Sequence, residues 1–226
     1  RLALVNAMHF AYKPLGYQEA IMFDWSRNNN RGIVKLCTGA GKTVVGLLAV
    51  KWATEQGLPC VIVVPSKTLM YQWQDEIYKA FGGQVDLLLA GDGNNGWRSD
   101  GVLHAYLGTL HGNKPQAVIV ILDTACSDEF KKRLRKYDEI LFLGDEIHNF
   151  GAQNMSGVFE SRATARLGLS ATPERFRDPE GTSRIFNFFG QILDPVIEIS
   201  DAISLKRLVP YQYNFEVAYL SDKEQG

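Results

Sequence analysis

Few cysteines and no long apolar run occur in this sequence, and each shortage excludes a class of protein. The three cysteines, Cys37, Cys60 and Cys126, are scattered and never form a CxxC pair. This pattern argues against a disulfide framework or a zinc cluster and favours a reducing, intracellular location, either cytoplasmic or nuclear and nucleoid. The densest apolar run covers residues 117–122 and is far shorter than the ~18 residues that a membrane span needs. We therefore expect no membrane partner.

An excess of charge of one sign is also lacking. The 24 lysines and arginines are balanced by 25 acidic residues, so the formal net charge is −1. Any nucleic-acid binding must therefore use local patches rather than a basic domain. The length of 226 residues and the ordinary hydrophobic content of 46% allow one large domain, or one domain with part of another. The chain begins at Arg1 without a methionine, and we expect it to be a piece of a longer protein.

Short apolar runs recur along the chain, and segments with helical spacing separate them. Most of the runs are nearly continuous rather than alternating, which is typical of parallel strands covered on both faces. The predicted strands are residues 32–37, 60–64, 85–89, 117–122, 139–144 and 165–170. The predicted helices include residues 43–56, 67–81 and 127–136. This alternation predicts an α/β domain with a mostly parallel sheet and helices on both faces.

Two segments differ from this alternation. Residues 91–101 are rich in glycine and asparagine and predict a mobile surface loop. Near the end of the chain, a loosely alternating segment is interrupted by Pro195 and Pro210. This segment predicts a final strand and the start of a connection to another domain.

The sequence TGAGKT, residues 38–43, lies between a predicted strand and a predicted helix, as a phosphate-binding loop requires. Gly39 and Gly41 allow the backbone to curl so that successive N–H groups face one anion, and the helix adds its positive N-terminal end. Lys42 is expected to reach the outer phosphates, and Thr43 is expected to offer its hydroxyl group to Mg²⁺. The motif thus predicts a site for ATP and Mg²⁺.

The strict phosphate-loop pattern has an additional glycine five residues before Gly41, where this chain has Leu36. The alternative is a flexible glycine-rich turn. That alternative would explain the two glycines but not the Lys-Thr pair at a strand-to-helix junction. The predicted nucleotide-binding residues of the loop are Thr38, Gly39, Ala40, Gly41, Lys42 and Thr43.

A second motif, EILFLGDEIH at residues 139–148, places two carboxylates at the end of a predicted strand. In an open α/β sheet, ligands bind at the carboxyl ends of the strands. Adjacent acids after a buried strand are costly unless a positive group compensates them, and a Mg²⁺–phosphate pair would do so. We expect Asp145 to hold the metal through water and Glu146 to orient or deprotonate an attacking water. The alternative is a solvated loop that begins with acids.

In this order, TGAGKT, DEIH and the SAT of residues 170–172 resemble the first RecA-like domain of superfamily-two helicases and translocases. The resemblance is greatest to the DExH type found in XPB-like repair helicases and in the motor subunits of type III-like restriction enzymes. It covers residues 14–215, and phosphate loops of this family also lack the first glycine. The resemblance implies a P-loop NTPase domain at residues 1–200, with a linker and the start of a missing second RecA-like domain at residues 201–226.

The resemblance also implies roles for four further residues. Gln18 resembles the glutamine that reads adenine, although a helical glutamine taken alone is most often a surface residue. His148 completes the DExH box, which the family uses to couple the nucleotide site to motion. Ser170 and Thr172 match the motif that relays between Glu146, His148 and the nucleic acid. The implied catalytic residues are Lys42, Asp145, Glu146 and His148, and the implied metal ligands are Thr43 and Asp145.

Contacts with nucleic acid, with DNA favoured over RNA, are implied at two places. Pro65, Ser66 and Lys67 match the family's backbone-contacting segment, although Ser66 also suits a helix N-cap. Thr124 falls where the family has another backbone contact, but the neighbouring Asp123 is unusual there and would repel phosphate.

Other patches have simpler interpretations. Five bases lie in residues 131–136, but they spread around a helix and cannot all face one partner, so a solvated helix end is favoured. Residues 128–132 have the acid-x-lysine spacing of a metal nuclease, but their acids suit a helix N-terminus equally well. Trp97 and Arg98 could stack on a base, although an isolated pair in a loop is weak support.

Together these patterns predict a nucleic-acid-dependent ATPase, a helicase or translocase, that is inactive or very slow as this isolated piece. Two alternatives stay open. One is an ATP-gated nucleic-acid-binding module without strand separation. The other is the motor subunit of a restriction or defence nuclease, which requires a nuclease domain or subunit elsewhere.

Overall fold

A computed structural model describes residues 8–108 and 114–210 of the chain. In this part of the chain, six parallel strands form one sheet in the order β1-β6-β5-β2-β4-β3. The strands are β1 (Arg31–Lys35), β2 (Cys60–Val64), β3 (Asp86–Ala90), β4 (Gln116–Ile121), β5 (Leu141–Asp145) and β6 (Ala165–Ser170). The predicted parallel α/β fold class is therefore confirmed.

Helices cover both faces of the sheet. The α-helices are α1 (Gly16–Arg27), α2 (Lys42–Glu55), α3 (Lys67–Phe81), α4 (Val102–Leu107), α5 (Leu122–Ala125), α6 (Asp128–Leu134), α7 (Pro179–Phe189) and α8 (Ile199–Ser204). Short 3₁₀ helices span Gly96–Arg98, Ile147–Asn149 and Gln153–Glu160. In the described ranges, no helix has both the length and the apolar character that crossing a membrane requires.

Alternate side chains of the strands enter two different hydrophobic clusters. Ile62 of β2 packs into the cluster that contains residues of α1, α2, α3 and α8. Its neighbours Val61 and Val63 pack into the cluster that contains residues of α4, α5, α6 and α7. Helices cover both faces of the sheet, so the side chains on either face of a strand are buried and apolar. This explains the continuous apolar runs of the sequence.

The predicted element bounds agree with the structure except near the end of the described chain. The strands at residues 60–64 and 165–170 have the predicted bounds, and the other four differ by one or two residues at their ends. The predicted final strand is wrong for the described residues, since two isolated bridges, Ile33 with Ile192 and Leu36 with Ile197, precede α8. Pro195 lies between these bridges and has no N–H group to extend a ladder. Residues 211–226 of the predicted connection lie outside the described residues, and the domain boundary at residue 200 stays a prediction.

The glycine-rich segment at residues 91–101 lies mostly at the surface, as its composition predicts, but one of its residues is held in the core. Trp97 is fully buried and packs edge-on against Phe130 of α6, with ring centroids 5.2 Å apart. The guanidinium group of Arg98 lies 4.5 Å from the centre of the Trp97 ring. A buried indole cannot stack on a base, so the suggested stacking by Trp97 is wrong. The indole ring of Trp97 fixes the segment to the hydrophobic core, which the high glycine content of the segment does not reveal.

The strand order brings three sequence motifs to one edge of the sheet. The phosphate loop follows β1, the SAT motif follows β6, and the DEIH motif begins at the end of β5. Since β6 pairs with both β1 and β5, the SAT motif lies between the other two. All three strands are parallel, and their carboxyl ends therefore form one edge, where ligands of open α/β sheets bind.

Candidate nucleotide-binding site

The phosphate loop has the backbone conformation that its glycines predict. Gly39 has φ of 85° and Gly41 has φ of 83°, both in the left-handed region that favours glycine. Space is also limited at Gly41, because a Cβ atom there would lie 2.6 Å from Nε2 of Gln18. Helix α2 begins at Lys42 directly after this turn, so its unpaired N–H groups lie at the loop. The local structure is that of an anion-binding turn.

The ammonium group of Lys42 bends back over the loop. Its Nζ atom donates a hydrogen bond of 3.1 Å to the carbonyl oxygen of Leu36 at the end of the preceding strand. A neutral carbonyl is a weaker partner for an ammonium group than a charged phosphate oxygen. Thr43 follows in the first turn of α2 and is half-buried. Lys42 is therefore placed to exchange the carbonyl for an anion bound in the loop.

Helix α1 is hydrogen-bonded to the phosphate loop through Gln18, which is only 2% exposed. The side-chain oxygen of Gln18 accepts a hydrogen bond of 2.9 Å from the N–H group of Leu15, and its amide donates to the carbonyl oxygen of Gly41 at 3.3 Å. The hydroxyl group of Tyr17 donates to the carbonyl oxygen of Ala40 at 2.7 Å. Gln18 is thus not the surface residue that a helical glutamine usually is. Its contact with adenine stays a prediction.

A pocket of about 200 Å³ opens between the start of α1 and the phosphate loop, and we call it the loop pocket. Its lining includes Tyr12, Lys13, Tyr17, Gln18, Gly41 and Arg207. The pocket combines aromatic rings and cations next to an anion-binding turn. Such a lining suits a molecule that joins a flat base to phosphate groups.

Asp145 is a buried carboxylate at the end of β5, with 6% of its surface exposed. Its two oxygen atoms accept hydrogen bonds of 2.8 Å from Nε1 of Trp73 and of 2.9 Å from the N–H group of Glu146. Burial and the neighbouring charge of Glu146 raise the pKa of Asp145, while the hydrogen bond from Trp73 and, to a smaller extent, the charge of Lys42 oppose this rise. The phosphate loop and the acidic strand end thus lie close enough at one edge of the sheet for the charge of Lys42 to act on Asp145.

Glu146 begins the turn after β5 in a conformation that is uncommon for a side chain. Its φ and ψ are 48° and 51°, in the left-handed region. Strained backbone of this kind often occurs at functional sites, where the surrounding structure maintains it. The side chain of Glu146 is one-third exposed, and its Oε2 atom lies 3.4 Å from Nδ1 of His148. It can therefore reach solvent while it contacts the histidine.

His148, Ser170 and Thr172 form a continuous polar connection with Glu146. Nδ1 of His148 lies 3.2 Å from Oγ of Ser170, which is fully buried at the end of β6. The same Oγ atom accepts a hydrogen bond of 3.1 Å from the N–H group of Thr172. The structure thus brings together the four residues for which the resemblance implies coupling, whereas their function in coupling stays a prediction.

Arg175 holds the turn that carries these groups, and sequence reasoning did not single it out. Its guanidinium group donates to the carbonyl oxygen of His148 and, at 2.7 Å, to Oδ2 of Asp178. The guanidinium group of Arg184 in α7 donates to the carbonyl oxygen of Gly151 at 2.6 Å. Two arginines from the segment after β6 therefore hold the backbone at the end of the DEIH motif and just after it. The only signal in the sequence is the arginine that follows SATPE.

The family model described as type III restriction enzyme, res subunit, matches residues 11–175 of this chain. The chain belongs to this family. The resemblance to the motor subunits of type III-like restriction enzymes, drawn from the three motifs, is therefore confirmed.

This member of the res-subunit family matches curated relatives over only part of their length. The chain is 29% identical over 160 residues to the DNA 3'-5' translocase XPB2 of Sulfurisphaera tokodaii, covering 70% of this chain and 30% of the relative. It is 26% identical over 179 residues to a putative DNA 3'-5' helicase Rad25 of Halobacterium salinarum, covering 76% of this chain and 25% of the relative. The chain thus spans less than one-third of the length of these relatives.

A solved structure shows the same fold as this res-subunit family member. The helicase domain of Hef from Pyrococcus furiosus superposes with a TM-score of 0.59 at 18% identity, covering 81% of this chain and 37% of that one. At this level of identity the comparison concerns the fold alone. It confirms the predicted RecA-like fold.

The residues of this res-subunit chain that are predicted to contact nucleic acid lie along the same edge of the sheet, but they follow different strands. Ser66 follows β2 and caps α3, since its Oγ atom accepts a hydrogen bond of 3.3 Å from the N–H group of Leu69. Lys67 is exposed and lies 2.6 Å from Oδ2 of Asp92. Thr124 lies in α5 after the neighbouring β4. The structure groups these residues with Pro65 beside the nucleotide motifs, and their contact with nucleic acid stays a prediction.

Replacing Trp73 by phenylalanine is expected to destabilise the protein in a pH-dependent way. The hydrogen bond from Trp73 favours ionised Asp145, so its contribution is present above the pKa of this carboxyl group and is lost as the pH falls through it. We expect the free energy of unfolding to drop by about 1–3 kcal/mol at neutral pH and by less in acid. Urea unfolding at several pH values measures this difference.

The matched control is Trp25, another buried tryptophan, because its Nε1 atom donates to the neutral carbonyl oxygen of Arg166 at 2.9 Å. The loss caused by Trp25→Phe should not follow the titration of Asp145. Asp145 itself also makes the stability of the protein depend on pH. Because burial raises the pKa of Asp145, its ionised carboxylate destabilises the folded protein at neutral pH, and this effect disappears in acid. Equal pH dependence in the two variants would contradict the prediction.

Proposed function

We propose that this chain is the N-terminal RecA-like domain of a DNA-dependent ATPase of the helicase or translocase type. Residues 1–200 form this domain, and residues 201–226 lead to a second RecA-like domain. The observation that carries the proposal is the arrangement of Lys42 and the Asp145–Glu146 pair at one edge of the sheet, with Ser170 between them. The ligand is ATP with Mg²⁺.

The residues of the site fit a magnesium nucleotide. Backbone N–H groups of Thr38 to Thr43 surround the phosphates, and Lys42 leaves the carbonyl oxygen of Leu36 to bind them. Both hydrogen bonds that Asp145 accepts come from neutral N–H groups, so this buried carboxylate benefits from a nearby cation. Thr43 and Asp145 would hold the metal, Asp145 through water. When bound, Mg²⁺ neutralises charge on the phosphates and supplies the cation.

Glu146 and the connection through His148 supply the remaining chemistry. Glu146 orients or deprotonates the water that attacks the terminal phosphate, because its carboxylate is solvent-accessible beside the metal ligand. His148, Ser170 and Thr172 respond to this carboxylate and transmit its state toward the nucleic-acid side. Arg175 keeps the turn in place through its hydrogen bond to the carbonyl oxygen of His148. Gln18 reads the base at the wall of the loop pocket.

DNA is the polymer that the comparisons favour, since both curated relatives carry DNA in their names. Pro65, Ser66, Lys67 and Thr124 contact its backbone. Such a protein acts inside the cell, in the cytoplasm or the nucleoid or nucleus, without a membrane partner.

A second candidate function is the motor of a restriction or defence nuclease. The description of the matched family as a res subunit of type III restriction enzymes favours it. This candidate requires a nuclease domain in the same protein or in a partner subunit. ATP-dependent cleavage of circular DNA by the complete protein or complex would support it, and ATP-dependent movement without cleavage would support a translocase alone.

The isolated chain of 226 residues is expected to hydrolyse ATP very slowly, even with DNA present. The second RecA-like domain supplies the arginine that stabilises transition-state charge, and loss of such a group costs about 10³-fold or more. ATPase rates of the chain and of the full-length protein, each with single-stranded DNA, double-stranded DNA and RNA, measure this effect. Fast ATP hydrolysis by the isolated chain would contradict the proposal that a second domain supplies this arginine.

A further inference from the structure

The segment that follows α8 turns back toward the phosphate loop, and we call residues 205–208 the exit segment. The N–H groups of Arg207 and Leu208 both donate to the carbonyl oxygen of Ala202, at 2.8 Å and 3.2 Å. Ala202 is fully buried in the cluster that contains residues of α1 and α2. The position of the exit segment is therefore set by the core of the domain.

The chain around α8 contacts the phosphate loop at one point and the residue before the loop at another. The N–H group of Cys37 donates to the carbonyl oxygen of Ile197 at 2.9 Å, just before the loop. In the loop itself, a Cβ atom at Gly39 would lie 3.0 Å from a terminal carbon of Leu208. Leu208 thus packs directly over one of the two glycines that form the anion-binding turn.

Arg207 is the residue of the exit segment that lines the loop pocket. It is exposed, and in the described ranges no acidic side chain forms an ion pair with its guanidinium group. Burial raises the pKa of Tyr17, and the charge of Arg207 lowers it, so the two residues interact electrostatically across the pocket. An unneutralised cation therefore faces the aromatic wall of the pocket beside the phosphate loop.

We propose that Arg207 binds the nucleoside part of the nucleotide, so that the segment leading to the next domain is itself a wall of the nucleotide site. This inference rests on the proposed function of the loop. A planar guanidinium group binds the face of an aromatic base and donates hydrogen bonds to ribose oxygens. The phosphates, by contrast, bind to the glycines of the loop and to Lys42. Occupation of the pocket then adds a contact to the exit segment beyond its hydrogen bonds to Ala202.

The test compares a ligand that has a nucleoside with one that lacks it. Calorimetric titration of the chain with ADP and with inorganic tripolyphosphate gives both affinities. For Arg207→Ala we expect about 5- to 20-fold weaker binding of ADP, and a change of less than about twofold for tripolyphosphate. Arg207→Lys should lie between wild type and alanine for ADP, because it keeps the charge and loses the planar group.

The control is Arg162→Ala, an exposed arginine shortly before the N-terminal end of β6 and hence at the opposite edge of the sheet. It should leave both affinities unchanged. An unchanged ADP affinity in Arg207→Ala would overturn the inference, as would an equal loss for both ligands, which would indicate only a long-range charge effect. Lys42→Ala separates the two proposals, since it should weaken both ligands. If Lys42→Ala has no effect, or if the wild-type chain binds no ADP, the proposed function fails as well.

Discussion

Replacing Lys42 by alanine should weaken the binding of ATP and ADP by about 100-fold or more. The ammonium group of Lys42 is held at the phosphate loop, where its partner is the carbonyl oxygen of Leu36. When a phosphate takes the place of this carbonyl, the alanine variant lacks charge-assisted hydrogen bonds worth about 1.5–3 kcal/mol each. Fluorescence or calorimetric titration with ADP measures the loss directly.

Lys51 provides a matched control for this experiment. It lies in the same helix, α2, and its ammonium group pairs with Glu55 one turn later rather than with the loop. Lys51→Ala removes the same charge from α2 and should change nucleotide affinity by less than about twofold. Equal affinities of Lys42→Ala and the wild type would mean that the loop does not bind phosphate.

Replacing Glu146 by glutamine in the full-length protein should abolish most hydrolysis while nucleotide binding persists. Glutamine keeps the size of the side chain and its contact with the turn, but it cannot accept a proton from water. Loss of a general base typically costs about 10²- to 10⁴-fold in rate. Single-turnover hydrolysis of ATP gives the rate, and filter binding of labelled ATP shows that the nucleotide remains bound.

Glu139→Gln is the matched control, because Glu139 is exposed just before the other end of β5, far from the carboxyl edge. Its substitution should leave the rate unchanged. The experiment also separates a motor from an ATP-gated binding module. A motor with Glu146→Gln loses movement on DNA, whereas a gated module keeps its biological output, since binding alone drives it.

The local parts of the fold could be predicted because they depend on neighbouring residues. The continuous apolar run at residues 60–64 predicts a strand that is buried on both faces, and the structure has β2 there. The TGAGKT motif predicts its own backbone, since only glycines adopt the conformations of Gly39 and Gly41 easily. The acids at the end of β5 likewise reach the predicted edge of the sheet.

Other features depend on residues that are distant in the chain, and the sequence does not reveal them. Gln18 is buried because its amide reaches Gly41, and Trp97 is buried because Phe130 of α6 provides a surface for it. Arg175 binds a backbone carbonyl group 27 positions earlier in the chain. Because every residue has a carbonyl group, the type of the partner residue gives no sign of this contact in the sequence. Arg207 reaches the loop pocket only because α8 places the exit segment there.

A crystal soaked with a non-hydrolysable ATP analogue and Mn²⁺ offers the most direct view of where the triphosphate lies. We expect the anomalous signal of manganese between the hydroxyl group of Thr43 and the carboxylate of Asp145, with the phosphates in contact with Lys42. A triphosphate bound away from residues 38–43, or a manganese ion with no ligand or bridging water from Asp145, would contradict the proposed site.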